Sequence, residues 1–210
     1  ALTITLIIQV AILFIVLPLI IVVFYAFTDA DGRFDLGNIA ALTDYAPIFG
    51  LSIELAVIAT AICLLIGYPL AYFISKADPK RQKFFIMLLM LPMWTNLLIR
   101  TYSLMALLDN GGLVSSFLVS IGLPKLTFIG TDAAVILGMI YDFLPYMVLP
   151  IYTTMTKLDN RYLEAAADLG CNNRQTLMRV ILPLSMPGVI SGVTMVFVPS
   201  ISTFYISQKL

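Results

Sequence analysis

Histidine is absent from this chain, cysteine occurs only twice, and acidic plus basic residues together make up 11% of it. Each shortage excludes something. Without histidine, a C-x-x-C pair or clustered carboxylates, neither a metal site nor a Ser/His/Asp catalyst has parts to be built from. No catalytic residue and no metal ligand is therefore assigned. Cys63 lies inside an apolar run and Cys171 in a basic loop, so no disulfide is expected. G-x-x-x-x-G-K-[ST] does not occur, so any ATP chemistry belongs to another polypeptide and no cofactor is expected in this one. The low charge excludes an ordinary soluble domain, which carries about 25% charged residues. No nucleic-acid partner is expected.

What the chain has instead is apolar length: 60% of it is hydrophobic. The hydrophobic residues gather into blocks of the ~20 residues that cross a bilayer as a helix. Five such blocks are read: Leu2 to Phe27, Leu51 to Ser75, Phe84 to Leu108, Ala133 to Met155, and about Pro183 to Ser207. The first is too long for the apolar part of a secretory signal, and no small-residue cleavage site follows it. The fold class is all-α, a polytopic transmembrane helical bundle. Residues 1–210 form one transmembrane domain in a lipid membrane.

Lys and Arg in the connecting loops set the orientation. Lys76, Lys80, Arg81 and Lys83 follow the second block; Lys157, Arg161, Arg174 and Arg179 follow the fourth. The remaining two loops hold only Arg33 and Lys125. This asymmetry predicts that the two basic loops and the N-terminus are cytoplasmic. The acidic loop with Asp29, Asp31, Asp35 and Asp44 is then external. Five spans leave Leu210 outside, which predicts a sixth span beyond it.

One loop is unusual. "YLEAAADLGCNNRQTLMRVILPLSMPG", Tyr162 to Gly188, reads as two short helices at the membrane surface. Asp159 or Asn160 can cap the first. Tyr162, Ala165, Ala166 and Leu169 form a small apolar stripe along it, and Gly170 falls where a helix ends in a left-handed residue. Asn172 or Asn173 can cap the second helix, with Leu177, Val180 and Ile181 inward. Pro183 and Pro187 mark the return to the membrane. A ten-residue helix is marginal alone. Physics leaves two readings: a plug for a groove on another protein, or an amphipathic helix lying on the bilayer.

"EAAADLG" followed by "VILP" resembles the E-A-A-x3-G-x9-I-x-L-P signature of ABC importer permeases, with Val180 in place of Ile. Glu164, Ala165, Ala166, Gly170, Leu182 and Pro183 fall on its positions. The stretches "GYPLAYFIS", "LPMWTNLLIRTYSLMALL", "LPYMVLPIYTTMTKLDNRYLEAAADLG" and "FVPSISTFYIS" resemble the spermidine/putrescine permeases, in their PotB-type branch. The resemblance covers nearly the whole chain. It implies the type I ABC importer permease fold with six spans, in the bacterial cytoplasmic membrane. It also implies a coupling helix at about 160–170 that contacts an ATPase through Arg161, Tyr162, Glu164, Ala165, Ala166, Asp168, Leu169 and Gly170. The implied partners are a PotC-type second permease, a homodimeric PotA-type ATPase holding ATP and Mg, and an external PotD-type polyamine-binding protein.

A polyamine pathway needs carboxylates for ammonium groups and aromatic faces for cation–π contact and methylene packing. Charges inside a span cost roughly 2.5–3.5 kcal/mol on insertion scales, which makes them functional candidates. Asp142 sits mid-block between Tyr141 and Phe143, and Trp94 is counted about halfway across the bilayer at ~1.5 Å per residue. Phe204 and Tyr205 lie toward the outer end of the last block. These, with Tyr141, are the pathway candidates. The alternative for Asp142 is a helix-holding pair with Arg100, and Arg100 itself is expected near the outer interface, where it can snorkel or pair with Asp109. The same fold serving ferric iron, phosphate or an opine is the main alternative function, followed by a secondary transporter.

Overall fold

The computed structural model describes residues 12–28, 33–35, 37, 43, 45–109, 112–120 and 130–202. The chain divides into two compact units, Ala1–Leu51 and Ser52–Leu210. In the first unit, a π turn at Ile12–Val16 leads into α1, Leu17–Ala26, which opens with a proline where no helical N–H is needed. Every described position of α1 is exposed or half-exposed, as suits an apolar helix with lipid for a neighbour. Thr28 pairs with Phe34 in a single antiparallel bridge.

Among the described residues, three helices are long and apolar enough to cross a membrane: α2, Ala46–Lys76; α6, Asp132–Thr156; and α8, Asn173–Ser202. Helix α6 is the axis of the second unit. Its buried face includes Val135, Met139, Phe143, Met147, Val148 and Ile151, in steps of three and four residues. Lipid tails supply no hydrophobic drive between helices, so close backbone contact must hold them together, and small residues permit it. Helix α8 presents Ser185, Gly188, Gly192, Val196 and Ser200 toward the core. A Cβ on Gly188 would stand 2.5 Å from the Thr154 hydroxyl and 2.7 Å from the Pro150 carbonyl. One on Gly192 would stand 2.9 Å from the Met147 sulfur. Helix α2 buries Ala56, Ala59, Cys63, Gly67 and Ala71 in the same manner, with Gly67 facing Met147 and Val148. The Tyr68 hydroxyl lies 3.0 Å from that of Ser185, which ties α2 to α8.

The third block departs from the straight span that its hydropathy predicts. Helix α3, Pro79–Met90, runs into a tight turn at Leu91–Trp94 and then into α4, Leu97–Leu108. The two halves are bent by 96°. Pro92 can make no N–H bond, Thr95 is extended at ψ 153°, and its hydroxyl donates to the Pro92 carbonyl at 2.7 Å. The break follows Trp94, so the count from Phe84 to Trp94 runs along the first half, and the residues from Ile99 onward leave the line of that half. A short helix, α5, covers Leu113–Ser120.

The last span also differs from expectation. The second surface helix and the fifth block form one continuous helix, α8, through a π turn at Leu177–Ile181. There the Leu182 N–H reaches back to the Leu177 carbonyl. The widened turn already interrupts the regular ladder, so Pro183, lacking an N–H, follows without ending the helix.

Candidate functional site

The segment between α6 and α8 is built from caps. After Thr156 the chain turns, and the Asp159 carboxylate accepts the Arg161 N–H at 3.0 Å, opening α7, Asn160–Asp168. At its far end Gly170 has φ +76°. The Gly170 N–H donates to the Ala167 carbonyl and the Cys171 N–H to that of Ala166. This is the paired closure that a left-handed residue makes possible. Two residues on, Asn172 and Gln175 cap each other: Asn172 Oδ1 accepts the Gln175 N–H at 2.8 Å, and Gln175 Oε1 accepts the Asn172 N–H at 2.9 Å. The chain is thus stopped and restarted within four residues.

The apolar stripe divides between two faces. Ala166 is 4% exposed, and Leu163, not expected on the inner face, is partly buried against the core. Tyr162 and Leu169 point outward, 55% and 84% exposed, with Ala165 exposed between them. Arg161, Glu164 and Asp168 are exposed around them. Leu163 and Ala166 seat the helix on its own chain. An apolar strip rimmed by charge faces away from it, the pattern of a surface that another protein covers.

In the membrane-spanning part, Asp142 and Arg100 meet. Arg100 Nε lies 3.0 Å from Asp142 Oδ1, with side chains 9% and 3% exposed. Of the partners open to Arg100 in the sequence, the structure shows Asp142, the helix-holding alternative. The bend in the third block aims α4 at α6, and a charge away from water needs an opposite charge. The alignment is imperfect, leaving Arg100 Nη1 and Nε and Asp142 Oδ1 without a well-formed hydrogen bond. The guanidinium stands 6.0 Å from the centroid of the Tyr141 ring. Tyr141 is half-exposed and, with Pro92, walls an apolar cavity of 320 Å³ between α2, α3 and α6. Trp94 lies at the helix break, 75% exposed. The structure thus gathers Tyr141 and Asp142 around Arg100 and leaves Trp94 on the surface; Phe204 and Tyr205 lie outside the described residues.

The ends of α2, α3 and α6 that carry the two basic loops lie together. Gln82 Nε2 donates to the carbonyls of Ser75 and Ala77, and the Tyr152 hydroxyl donates to Gln82 Oε1 at 3.0 Å. Sequence reading missed these residues, because Gln82 stands in "KADPKRQK", where the charges carry the signal.

Residues 65–208 match the family described as binding-protein-dependent transport system inner membrane component. The chain is 40% identical over 209 residues to the spermidine/putrescine transport system permease protein PotB of Haemophilus influenzae, covering 95% of this chain and 73% of that protein. It is 38% identical to the protein of that name from Escherichia coli K12, covering 95% and 76%. Among solved structures, a chain in the crystal structure of a bacterial alginate ABC transporter, in complex with an alginate pentasaccharide-bound periplasmic protein, matches with a TM-score of 0.65. That match has 20% identity and covers 90% of this chain and 67% of the other, so it bears on the fold alone.

Proposed function

The chain belongs to the family of binding-protein-dependent transport system inner membrane components, and on that premise we propose that it imports spermidine and putrescine as one permease subunit of an ABC transporter. The observation that carries the substrate is its 38–40% identity, over 95% of its length, to two permeases named for these polyamines. The charge arrangement supports it. Arg100 is engaged by Asp142 and does not stand as an open anion site, whereas Tyr141 and Trp94 offer aromatic faces of the kind that attract ammonium groups.

A PotC-type permease forms the other half of the pathway, and a PotD-type protein delivers the solute from outside. A homodimeric PotA-type ATPase on the cytoplasmic side binds ATP and Mg. Helix α7 is the coupling element. Arg161, Tyr162, Glu164, Ala165, Asp168 and Leu169 face the ATPase groove, Ala166 seats the helix on its own chain, and Gly170 closes it. When ATP draws the ATPase halves together, α7 moves with its groove and switches the access of the spans. The basic loops and the N-terminus are cytoplasmic on this reading. In the pathway, Trp94 and Tyr141 supply aromatic walls, Phe204 and Tyr205 an outer gate, and Asp142 the negative charge behind Tyr141.

Uptake of labelled spermidine, putrescine and ferric iron by the reconstituted complex tests the substrate. ATP-dependent polyamine accumulation is expected, and accumulation of iron alone overturns the reading. Single cysteines at positions 80 and 174 should resist an impermeant thiol reagent on intact cells. External labelling at either reverses the orientation.

A further inference from the structure

We infer that Gln82 is a positioning residue for coupling: its amide clamps the loop-side ends of α2, α3 and α6 into one body, so that a displacement of α7 moves the spans together. This rests on the reading of α7 as the ATPase-contacting helix. A glutamine amide has two N–H donors and one carbonyl acceptor. Gln82 Nε2 donates at 3.1 Å to the carbonyl of Ser75 and at 2.8 Å to that of Ala77. These carbonyls end α2, where a helix has no N–H of its own left to offer them. Its Oε1 accepts from Tyr152 of α6. Gln82 belongs to α3, so one side chain joins three helices.

The location gives the clamp its role. Tyr152 lies one turn before the end of α6, and Asp159 opens α7 shortly after. A polar cavity of 260 Å³ is lined both by clamp residues, Gln82 and Ser75, and by Asn160 and Leu163 of α7. Such a gap gives α7 room to shift against its own chain. Without the amide, the loop-side end of α6 is held to α2 mainly by the apolar packing of Ile74, Ile151 and Met155, which can slide under a pull on α7. With the three ends joined, the pull reaches the helices that carry Asp142 and the bend at Trp94. Lys80, Arg81 and Lys83, next to Gln82 in sequence, are exposed and leave this neutral contact to the amide.

Two substitutions cut the clamp on different sides. Tyr152→Phe removes only the bond to α6, and Gln82→Glu keeps an acceptor for Tyr152 while removing both donations to α2. Each is read in the full complex of both permeases, ATPase and binding protein in proteoliposomes, as spermidine imported per ATP hydrolysed. Each variant should lower that ratio about three- to tenfold, the effect of a lost hydrogen bond of ordinary strength, with the ATPase still co-purifying and thermal stability retained. A wild-type ratio in Tyr152→Phe overturns the inference, as does a loss that only tracks reduced assembly. If the wild-type complex hydrolyses ATP but imports no polyamine, the substrate reading fails by itself. The clamp is then judged by stimulation of ATPase by the binding protein, and equal stimulation in wild type and variants overturns it.

Discussion

The seam between α6 and α8 and the short helix α7 are adjacent in the chain and held by opposite means. At the seam, glycines let a backbone lie against Met147, Pro150 and Thr154. Helix α7 has one buried alanine, caps at both ends and an apolar strip facing outward. A helix of nine residues has little stability of its own. The seam is packed within the chain; α7 carries an exposed apolar strip, and on the proposed function that strip is left for the ATPase. Substitutions should therefore damage assembly at the seam and in the spans, but coupling at α7.

The largest effect is expected where a buried charge loses its partner. Arg100→Gln leaves Asp142 alone in the spans, and breaking such a pair costs about 3–5 kcal/mol. The yield of assembled complex and its thermal midpoint should both fall. Adding Asp142→Asn should recover much of the loss, because the double variant buries no charge. Recovery of assembly without recovery of uptake separates the two roles open to Asp142, since only a pathway role leaves transport impaired.

The comparison sharpens with a matched pair of glycines. Gly188→Val forces a side chain toward the Pro150 carbonyl, which belongs to a packed helix and cannot swing away. Overpacking of this kind costs typically 1–3 kcal/mol, read as lower thermal stability of the complex. Gly170→Ala meets nothing within 4 Å, so only the left-handed backbone at φ +76° resists it, at roughly 1–2 kcal/mol. Gly170→Asp adds a charge beside the outward strip. It should leave the protein inserted and separate ATP hydrolysis from uptake. Full uptake with normal co-purification of the ATPase in Gly170→Asp would remove α7 from the coupling path.

Much of this division was legible in residue types. Helices α2 and α6 fall close to their predicted blocks, because long apolar runs between basic loops leave few other solutions. The cap at Asp159 and the stop at Gly170 follow from local chemistry that needs no tertiary context. Hydropathy could not show the bend between Trp94 and Ile99, since it averages over direction, and the direction taken by Arg100 beyond the bend was not legible with it. Nor did the prolines end a helix at Pro183, because a π turn upstream had already relaxed the ladder. Arg100 and Asp142 were recognisable as costly residues, but their pairing depends on how the broken span folds back. Gln82 was invisible for a plainer reason: a neutral amide gives no signal among four basic residues, and its partners lie up to 70 positions away.

The smallest effect is expected at Trp94, and it tests whether the bend of the third block is a second exposed surface left for function. A tryptophan 75% exposed contributes little to the stability of its own chain. Trp94→Ala should therefore leave the yield and thermal midpoint of the complex close to wild type. If the ring faces the translocation pathway, it offers a cation roughly 0.5–2 kcal/mol, so its loss should raise the concentration for half-maximal spermidine uptake about two- to thirtyfold. Trp94→Phe keeps an aromatic face and should recover part of that shift, whereas Trp94→Leu keeps apolar volume and should recover none. A ring facing lipid gives the reverse pattern, with leucine serving as well as phenylalanine and uptake unchanged in all three. Spermidine, with more ammonium groups than putrescine, should be the more affected solute. Equal losses for the two would point to a steric role for Trp94 at the bend.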